Sequence, residues 1–335
     1  MIHIRHEVSL LSSNTFGIPA TACVFVESDD VADLAGFIRS LPDPSAVFLL
    51  GGGSNVLLVS DRYDVVIRPA MKGIEVIDET DDQVLVRAGA GEVWDDFVKW
   101  CVERNYAGVE NLSHIPGTVG ACPIQNIGAY GVEARETIET VEAMEMETGQ
   151  TVRFNNQQCC FNYRDSYFKR SKGKYLITAV RFRLSKKFES NIKYADLKTE
   201  LSGSEHITLE NMRQAVINIR RRKLPDSAEL GNAGSFFKNP TIHTEKHKEI
   251  SQLYPHAPLY RTSDEFWKIS AAWLIDQCGW NGVREGHVGV HKMQPLVIVN
   301  YGGANGNEIL HFARKIIDSV SDKFGIELEQ EVNIV

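Results

Sequence analysis

The chain has 335 residues, 43% apolar and 24% charged, which is ordinary globular composition and long enough for two or three domains. A formal net charge of −8 argues against nucleic-acid or anionic-membrane binding, which rewards a basic face, so any anionic ligand needs local cations. No run approaches a membrane span, the start lacks a signal peptide's apolar stretch, and the six cysteines form neither a CxxC pair nor a metal-ligand spacing. A cytoplasmic protein with mostly buried thiols and no metal site is expected.

In chain order, strand-like runs at Cys23–Val26, Ala46–Leu50, Asp64–Ile67 and Gln83–Val86 alternate with helical patterns at Asp30–Leu41 and Glu92–Arg104, the latter with Val93, Phe97 and Trp100 at helical spacing. Strand-like runs return between Thr137 and Ser185, and a helix from Leu209 to about Arg222 is stopped by Pro225, where a domain boundary is placed. Further helical patterns cover Phe266–Cys278 and Asn305–Phe324, with a buried strand at Leu296–Val299 between them. The alternating end, Ile326–Ile334, reads as a strand closing against a sheet. The class is α+β.

Two glycine-rich segments carry chemistry. Gly51-Gly52-Gly53-Ser54-Asn55 lies between two strands, so it is neither a Rossmann fingerprint, which opens a helix, nor a P-loop, which needs Gly-Lys-Ser/Thr. It is either a tight β-turn or a nest of N–H groups able to hold a pyrophosphate. The segment Ile115 to Gly131 has four glycines, two prolines and few charges, which calls for close backbone approach. Two such loops in one domain suggest a large cofactor carrying a diphosphate.

With these loops, the runs Asn14-Thr15-Phe16-Gly17, Tyr163-Arg164-Asp165-Ser166, Tyr194-Ala195-Asp196-Leu197, Lys223-Leu224-Pro225-Asp226, Asn232 to Pro240, Trp273 to Gln277 and Glu329-Gln330-Glu331-Val332 resemble the UDP-N-acetylenolpyruvoylglucosamine reductases nearly end to end, in their longer form with a tyrosine-bearing loop. The resemblance implies the FAD-binding fold of the vanillyl-alcohol-oxidase/PCMH type with a separate α+β substrate-binding domain. It implies a first FAD-binding subdomain over 1–70 joined by the C-terminal strand 326–335, a second over 71–223, and a substrate domain over 224–325. It further implies a monomer that uses NADPH to reduce UDP-N-acetylglucosamine enolpyruvate to UDP-N-acetylmuramate through bound FAD. The Gly51 loop holds no histidine for covalent attachment, so dissociable FAD is expected; His114, just before the second loop, reads as structural.

Reducing an enolpyruvyl ether needs groups waiting for charge on the carboxylate and a donor to protonate the carbon beside it. Arg164 suits the first task, unless it forms a structural ion pair with Asp165 or another acid. Ser235 follows small residues and precedes two aromatics; a serine is usually a cap or turn residue, and the resemblance makes it the proton donor. Glu331 falls by alternation on one face with Glu327 and Glu329, a solvated edge by residue type but an active-site group by resemblance. Asn333 replaces a basic residue expected in relatives.

For the cofactor the resemblance selects Gly51, Gly52, Gly53, Ser54, Asn55, Pro116, Gly117, Gly120, Ile127, Gly128 and Arg220. For the substrate it selects Tyr130, Tyr163, Tyr194, Lys223, Asn239, Tyr260, Lys268 and Gln294. The run Arg220 to Lys223 is otherwise a solvated helix end. Tyr194 is expected on a loop over the uridine diphosphate. Competing readings are another FAD-dependent oxidoreductase of the same fold, a sugar-nucleotide transferase, which would normally show an Arg soon after the glycines and a metal-holding aspartate, and a colourless nucleotide-sugar binder.

Overall fold

A computed structural model describes residues 1–335 and divides them into two compact units. The first comprises Met1–Ser9, Thr21–Gly53 and Arg62–Arg222; the second comprises Leu10–Ala20, Ser54–Asp61 and Lys223–Val335.

In the first unit, a four-stranded sheet runs in the order Ile2–Ser9, Thr21–Ser28, Arg62–Pro69, Val47–Leu49, antiparallel at the first pair and parallel at the other two. Parallel strands need a crossover, and the helix Val31–Arg39 lies between Thr21–Ser28 and Val47–Leu49 in the chain. Asp30 starts it by accepting from the Asp33 N–H at 3.0 Å, and Leu34, Ala35 and Ile38 form its buried face. A five-stranded antiparallel sheet follows, in the order Thr151–Asn155, Ile138–Glu145, Tyr175–Ser185, Gln83–Gly89, Ile74–Glu79.

The helix Trp94–Glu103 packs against this second sheet, but not with the face expected from sequence. Val93 is exposed and flanks the helix start, Trp100 is half-buried, and the buried face is Trp94, Phe97, Val98, Cys101 and Val102. Trp94, Phe97, Val98, Cys101 and Val102 recur at i, i+3, i+4, i+7 and i+8 and so share the core-facing stripe, which leaves Val93 and Trp100 at its margin. Trp94, Phe97 and Phe182 form an aromatic triangle with centroids 4.6 to 5.9 Å apart, and the Trp94 indole donates to the Leu112 carbonyl at 2.9 Å.

In the second unit, a four-stranded antiparallel sheet in the order Gly231–Asn232, Ile298–Asn300, Val288–Val290, Arg284–Glu285 accompanies the helix Gly306–Phe324. That helix buries Ile309, Phe312, Ala313, Ile316, Val320 and Phe324; an Asn305/Glu308 capping box opens it and left-handed Gly325 closes it. A three-stranded sheet takes Thr241–His243, Phe266–Ile269 and Leu259–Arg261. The helix expected over Phe266–Cys278 is therefore shortened to Ala271–Gln277. Phe266, Trp267 and Ile269 favour the pleated pairing, and Ser270 starts the helix by accepting from the Trp273 N–H.

The expected terminal strand is also shorter. Only Asn333–Ile334 pairs regularly, parallel to Val56–Leu57, while Gln330 makes a single bridge to Phe237. Asn14 organises the loop at the front of this unit: its amide donates to the carbonyls of Leu10 and Ile18 at 2.8 and 3.0 Å, and its oxygen accepts from the Ile18 N–H at 3.0 Å.

Of the cysteines, Cys101, Cys122 and Cys159 are buried, Cys23 and Cys278 half-buried and Cys160 exposed; no His, Cys, Asp and Glu side chains group as a metal site. Replacing Phe97 with Ala removes the centre of the aromatic triangle, so the free energy of unfolding should fall by about 3–5 kcal/mol in a urea titration. A loss below about 1 kcal/mol would mean that the helix Trp94–Glu103 is held from elsewhere.

Candidate active site

The two glycine-rich loops cross within the first unit. A Cβ on Gly52 would lie 2.8 Å from the Gly117 Cα, and one on Gly51 would lie 3.2 Å from the Thr118 hydroxyl. A side chain at position 52 could be admitted only by moving backbone. Gly117 itself has φ +123 and Gly53 φ +66, conformations that favour glycine. The second loop is seated on the start of the helix Trp94–Glu103. Gly117 accepts from the Trp94 N–H at 3.1 Å, and Val119 and Gly120 donate to the Glu92 and Ala90 carbonyls, each at 2.9 Å. The turn and loop hydrogen bonds of the chain leave out the N–H groups of Gly51 and Gly52. A strip of backbone with no side chains is thus exposed along one crossing, and successive N–H groups of this kind suit an anionic diphosphate.

Arg164 sits at the tip of a tight turn. Asn162 and Asp165 exchange two backbone hydrogen bonds of 3.0 and 3.2 Å, and Arg164 takes the left-handed conformation at φ +51. Asp165 forms its ion pair with Arg170, so the Arg164–Asp165 pairing that sequence left open is not the one made. The Arg164 guanidinium donates to the Gly128 carbonyl at 2.7 Å and lies 5.5 Å from the Tyr163 ring centre. A Cβ at Gly128 would come within 2.9 Å of its Nη1. Ile127, beside it, is buried. Tyr130 meets Tyr194 edge to face at 6.0 Å; Tyr194 is half-exposed at the start of the short helix Ala195–Glu200, and burial pushes the Tyr130 hydroxyl's pKa up. Arg220 gives its Nε to the His114 carbonyl at 3.0 Å, and its pKa is lowered by burial.

Sequence reasoning missed the side chains that hold this arrangement. Asp95 accepts both terminal nitrogens of Arg213, at 2.6 and 2.9 Å, and also the His114 N–H at 2.5 Å. Buried Asn126, at φ +48, donates to the Asn162 carbonyl at 3.0 Å and to Glu133 at 3.1 Å while accepting from the Arg135 N–H, which ties the second loop to the Arg164 turn. Asp95 and Arg213 lie 118 residues apart, and no spacing rule connects them. Asn126 stood in the glycine-rich segment, and only its full burial marks it out.

The second unit holds Ser235 and Glu331. Asn232 turns the chain by accepting from the Gly234 N–H at 2.9 Å, and Gly234 is left-handed at φ +70. Half-buried Ser235 follows, then Phe236 and Phe237, both buried. The Phe236 carbonyl accepts from the Glu331 N–H at 2.8 Å, which brings the Ser235 and Glu331 segments side by side. Glu331 is buried, whereas Glu327 and Glu329 are exposed, so the common face expected from alternation is not formed. Lys238 pairs with Glu329, and bridging to Phe237 redirects the chain between Glu329 and Glu331. Asn55 donates to the Glu331 carbonyl at 3.3 Å and its own carbonyl accepts from Asn333, the residue found where a basic side chain was expected.

The other sequence-selected residues are more scattered. Asn239 uses its side-chain oxygen to cap the helix Ala271–Gln277 through the Ala271 N–H at 2.9 Å. Tyr260 faces Lys268 across a rung of the three-stranded sheet and is 64% exposed, open enough to serve a ligand only at the surface. Gln294 accepts from the Val297 N–H through its carbonyl, and Lys223 begins the second unit's last segment. Ser54 opens the segment Ser54–Asp61 of that unit.

Residues 226–335 match the family model for the C-terminal domain of UDP-N-acetylenolpyruvoylglucosamine reductase, and residues 22–155 match that for an FAD binding domain. A relative of that reductase name from Bacteroides fragilis is 44% identical over 99% of this chain and 100% of its own length; one from Amoebophilus asiaticus is 46% identical over 99% of each. The chain belongs to the UDP-N-acetylenolpyruvoylglucosamine reductase family. The crystal structure of such a reductase from Thermus caldophilus shares the fold, with a TM-score of 0.71 at 22% identity over 100% of this chain and 99% of that one. Members of this reductase family thus share the chain's whole extent, and the residues above sit in a family of enzymes.

Burial works to raise the Asp95 carboxyl, but the Arg213 fork and the His114 N–H outweigh it and hold Asp95 below the usual carboxylate range. A depressed carboxylate contributes stability that is present above its unfolded value, about 3.9, and is lost as the pH falls through the lower folded value. Asp95→Asn should therefore cost ~3 kcal/mol at pH 7, because Arg213 is left buried without its partner. The gap between parent and variant should shrink below about pH 4 in paired urea titrations; a gap that is constant down to pH 2 would show that the Asp95 charge contributes nothing.

Proposed function

We propose that the chain uses NADPH, through bound FAD, to reduce the enolpyruvyl ether of UDP-N-acetylglucosamine enolpyruvate to UDP-N-acetylmuramate, a step in the making of peptidoglycan precursors. The observation that carries this reading is the side-chain-free crossing at Gly52 and Gly117 in a member of the reductase family. The crossing fits a dinucleotide: Gly51, Gly52, Gly53, Ser54 and Asn55 on one loop and Pro116, Gly117, Gly120, Ile127 and Gly128 on the other would hold FAD, with Arg220 toward the flavin. Neither His nor Cys occurs among residues 51–59, so FAD binds without a covalent link. When bound, FAD accepts a hydride from NADPH and supplies it to the terminal vinyl carbon of the substrate.

The protein's own side chains handle charge and proton. Arg164, oriented by the Gly128 carbonyl, meets the substrate carboxylate and holds the negative charge that builds there as hydride arrives at the vinyl terminus. Ser235 gives its hydroxyl proton to the carbon bearing the ether and the carboxylate; a hydroxyl is a weak acid, but the enolate-like carbon is a strong base. Glu331, buried beside the Ser235 segment, stabilises this step. Tyr130, Tyr163, Tyr194, Lys223, Asn239, Tyr260, Lys268 and Gln294 are assigned to the uridine-diphosphate sugar, with Lys223 and Lys268 as cations for the diphosphate. Asn239 keeps its amide for that role, since only its oxygen caps a helix. The reading includes a monomer acting in the cytoplasm; no helix is long and apolar enough to cross a membrane.

Heat or acid precipitation of the yellow protein should leave the chromophore in the supernatant. Gly52→Ala should carry at least ~10-fold less FAD after purification, a change of about 1.4 kcal/mol in binding, while its far-ultraviolet circular dichroism stays that of the parent. Full flavin content in Gly52→Ala would place the cofactor away from the crossing.

The proton donor is tested by separating the half-reactions. Ser235→Ala should bleach normally with NADPH without oxygen, but reoxidation by the enolpyruvyl substrate should slow by roughly 10²–10⁴-fold, the usual contribution of a positioned general acid. Reoxidation at the parent rate would move the proton donor to another group, with Glu331 the next to examine.

A further inference from the structure

Arg213 and Arg220 lie on one helix, Leu209–Lys223, two turns apart and therefore on one face. Asp95 stands in the first turn of another helix, Trp94–Glu103. Between them passes His114, the residue that leads into the second glycine-rich loop. Its N–H donates to Asp95 at 2.5 Å, its carbonyl accepts from Arg220 Nε at 3.0 Å, and Arg213 locks Asp95 with two hydrogen bonds. His114 adopts φ +59, which a non-glycine residue takes only when both of its flanks are held. The contacts thus form one relay: Arg213, Asp95, the His114 peptide groups, Arg220.

The end of the relay is a cation with two open donors. Arg220 spends Nε on His114, which leaves the two Nη groups of its fork to donate to a ligand. Tyr130, Asp95 and Arg164 all lie within electrostatic reach of it, and both Asp95 oxygens are already engaged by Arg213 and the His114 N–H.

We propose that Asp95 and Arg213 are positioning residues that act through the His114 backbone to hold the Arg220 guanidinium toward the flavin of the bound cofactor, a role that rests on the FAD reading above. Neither side chain touches the cofactor in this scheme. Their effect on binding exists only while Arg220 is there to be oriented.

The test is a double-mutant cycle on FAD affinity, read by flavin fluorescence as FAD is titrated into the full-length protein stripped of flavin. Asp95→Asn and Arg220→Gln should each weaken binding by roughly tenfold or more, yet the double variant should bind within about twofold of Arg220→Gln alone, because coupled residues are not additive. Arg213→Lys keeps the charge without the fork, so it should weaken FAD as Asp95→Asn does; it also carries the cycle if Asp95→Asn fails to fold. Losses that multiply in the double variant, or Asp95→Asn and Arg213→Lys proteins that bind FAD like the parent, would overturn the relay while leaving the flavin reading intact. A parent protein that takes up no FAD overturns that reading, and the relay with it.

Discussion

Within the first unit, the approach of Gly52 to Gly117 is the constraint on which the two glycine-rich loops depend. At this crossing a Cβ on Gly52 would stand 2.8 Å from the Gly117 Cα, so position 52 can carry a side chain only by displacing the second loop. The same rule is repeated where the second loop meets the sheet: a Cβ on Gly120 would stand 2.6 Å from the Ala90 Cβ, and one on Gly91 2.7 Å from the Ala70 carbonyl carbon. Backbone packed against backbone presents N–H groups in place of apolar side chains. That surface can receive a charged phosphate chain without first shedding any side chain.

Such packing forces unusual backbone on the residues around it. His114, Asn126, Tyr130, Cys160 and Arg164, none of them glycine, all have positive φ and fall in one stretch of sequence that includes the second loop and the Arg164 turn. Left-handed non-glycine residues cost roughly 1–3 kcal/mol each and persist only where surroundings over-determine them. Here the surroundings are identifiable. Asp95 and Arg220 hold the two sides of the His114 peptide, Asn111 donates to the Tyr130 carbonyl at 3.1 Å, Asn126 is bonded at both ends of its amide, and the Arg164 turn is closed by Asn162 and Asp165. These polar side chains work beside the apolar core, to which Leu112, Val119, Cys122, Ile127 and Val132 of the same stretch belong.

The second unit solves a different problem, presenting one hydroxyl and one carboxylate from segments far apart in the chain. Phe16 is central to it. Its ring meets Phe236 edge to face at 6.2 Å, while its carbonyl accepts from the Asn300 amide at 2.9 Å and lies 2.4 Å from where a Cβ on Gly231 would be. The Gly231 to Phe237 run is thereby pressed onto the loop organised by Asn14, and Glu331 is bonded to its far side. Rigid support from buried aromatics and backbone is what the role proposed for Ser235 as proton donor requires, since misplacement by an ångström weakens transfer.

The sequence by itself determined the main strands and helices of both units, the two glycine-rich loops, the family, and the residue types that reduction of an enolpyruvyl ether requires. These are local or near-contiguous features: apolar periodicity, glycine clusters and ordered motifs survive in one dimension. Tertiary structure decided what depends on contacts across the chain. It turned the buried face of the helix from Val93 to Trp94, gave Phe266–Ile269 to a sheet, separated Glu331 from Glu327 and Glu329, and paired Asp165 with Arg170. It also joined Asp95 to Arg213 across 118 residues. A hydrogen bond or ion pair is set by distance in space, and sequence spacing fixes that distance only within a helix or along a strand.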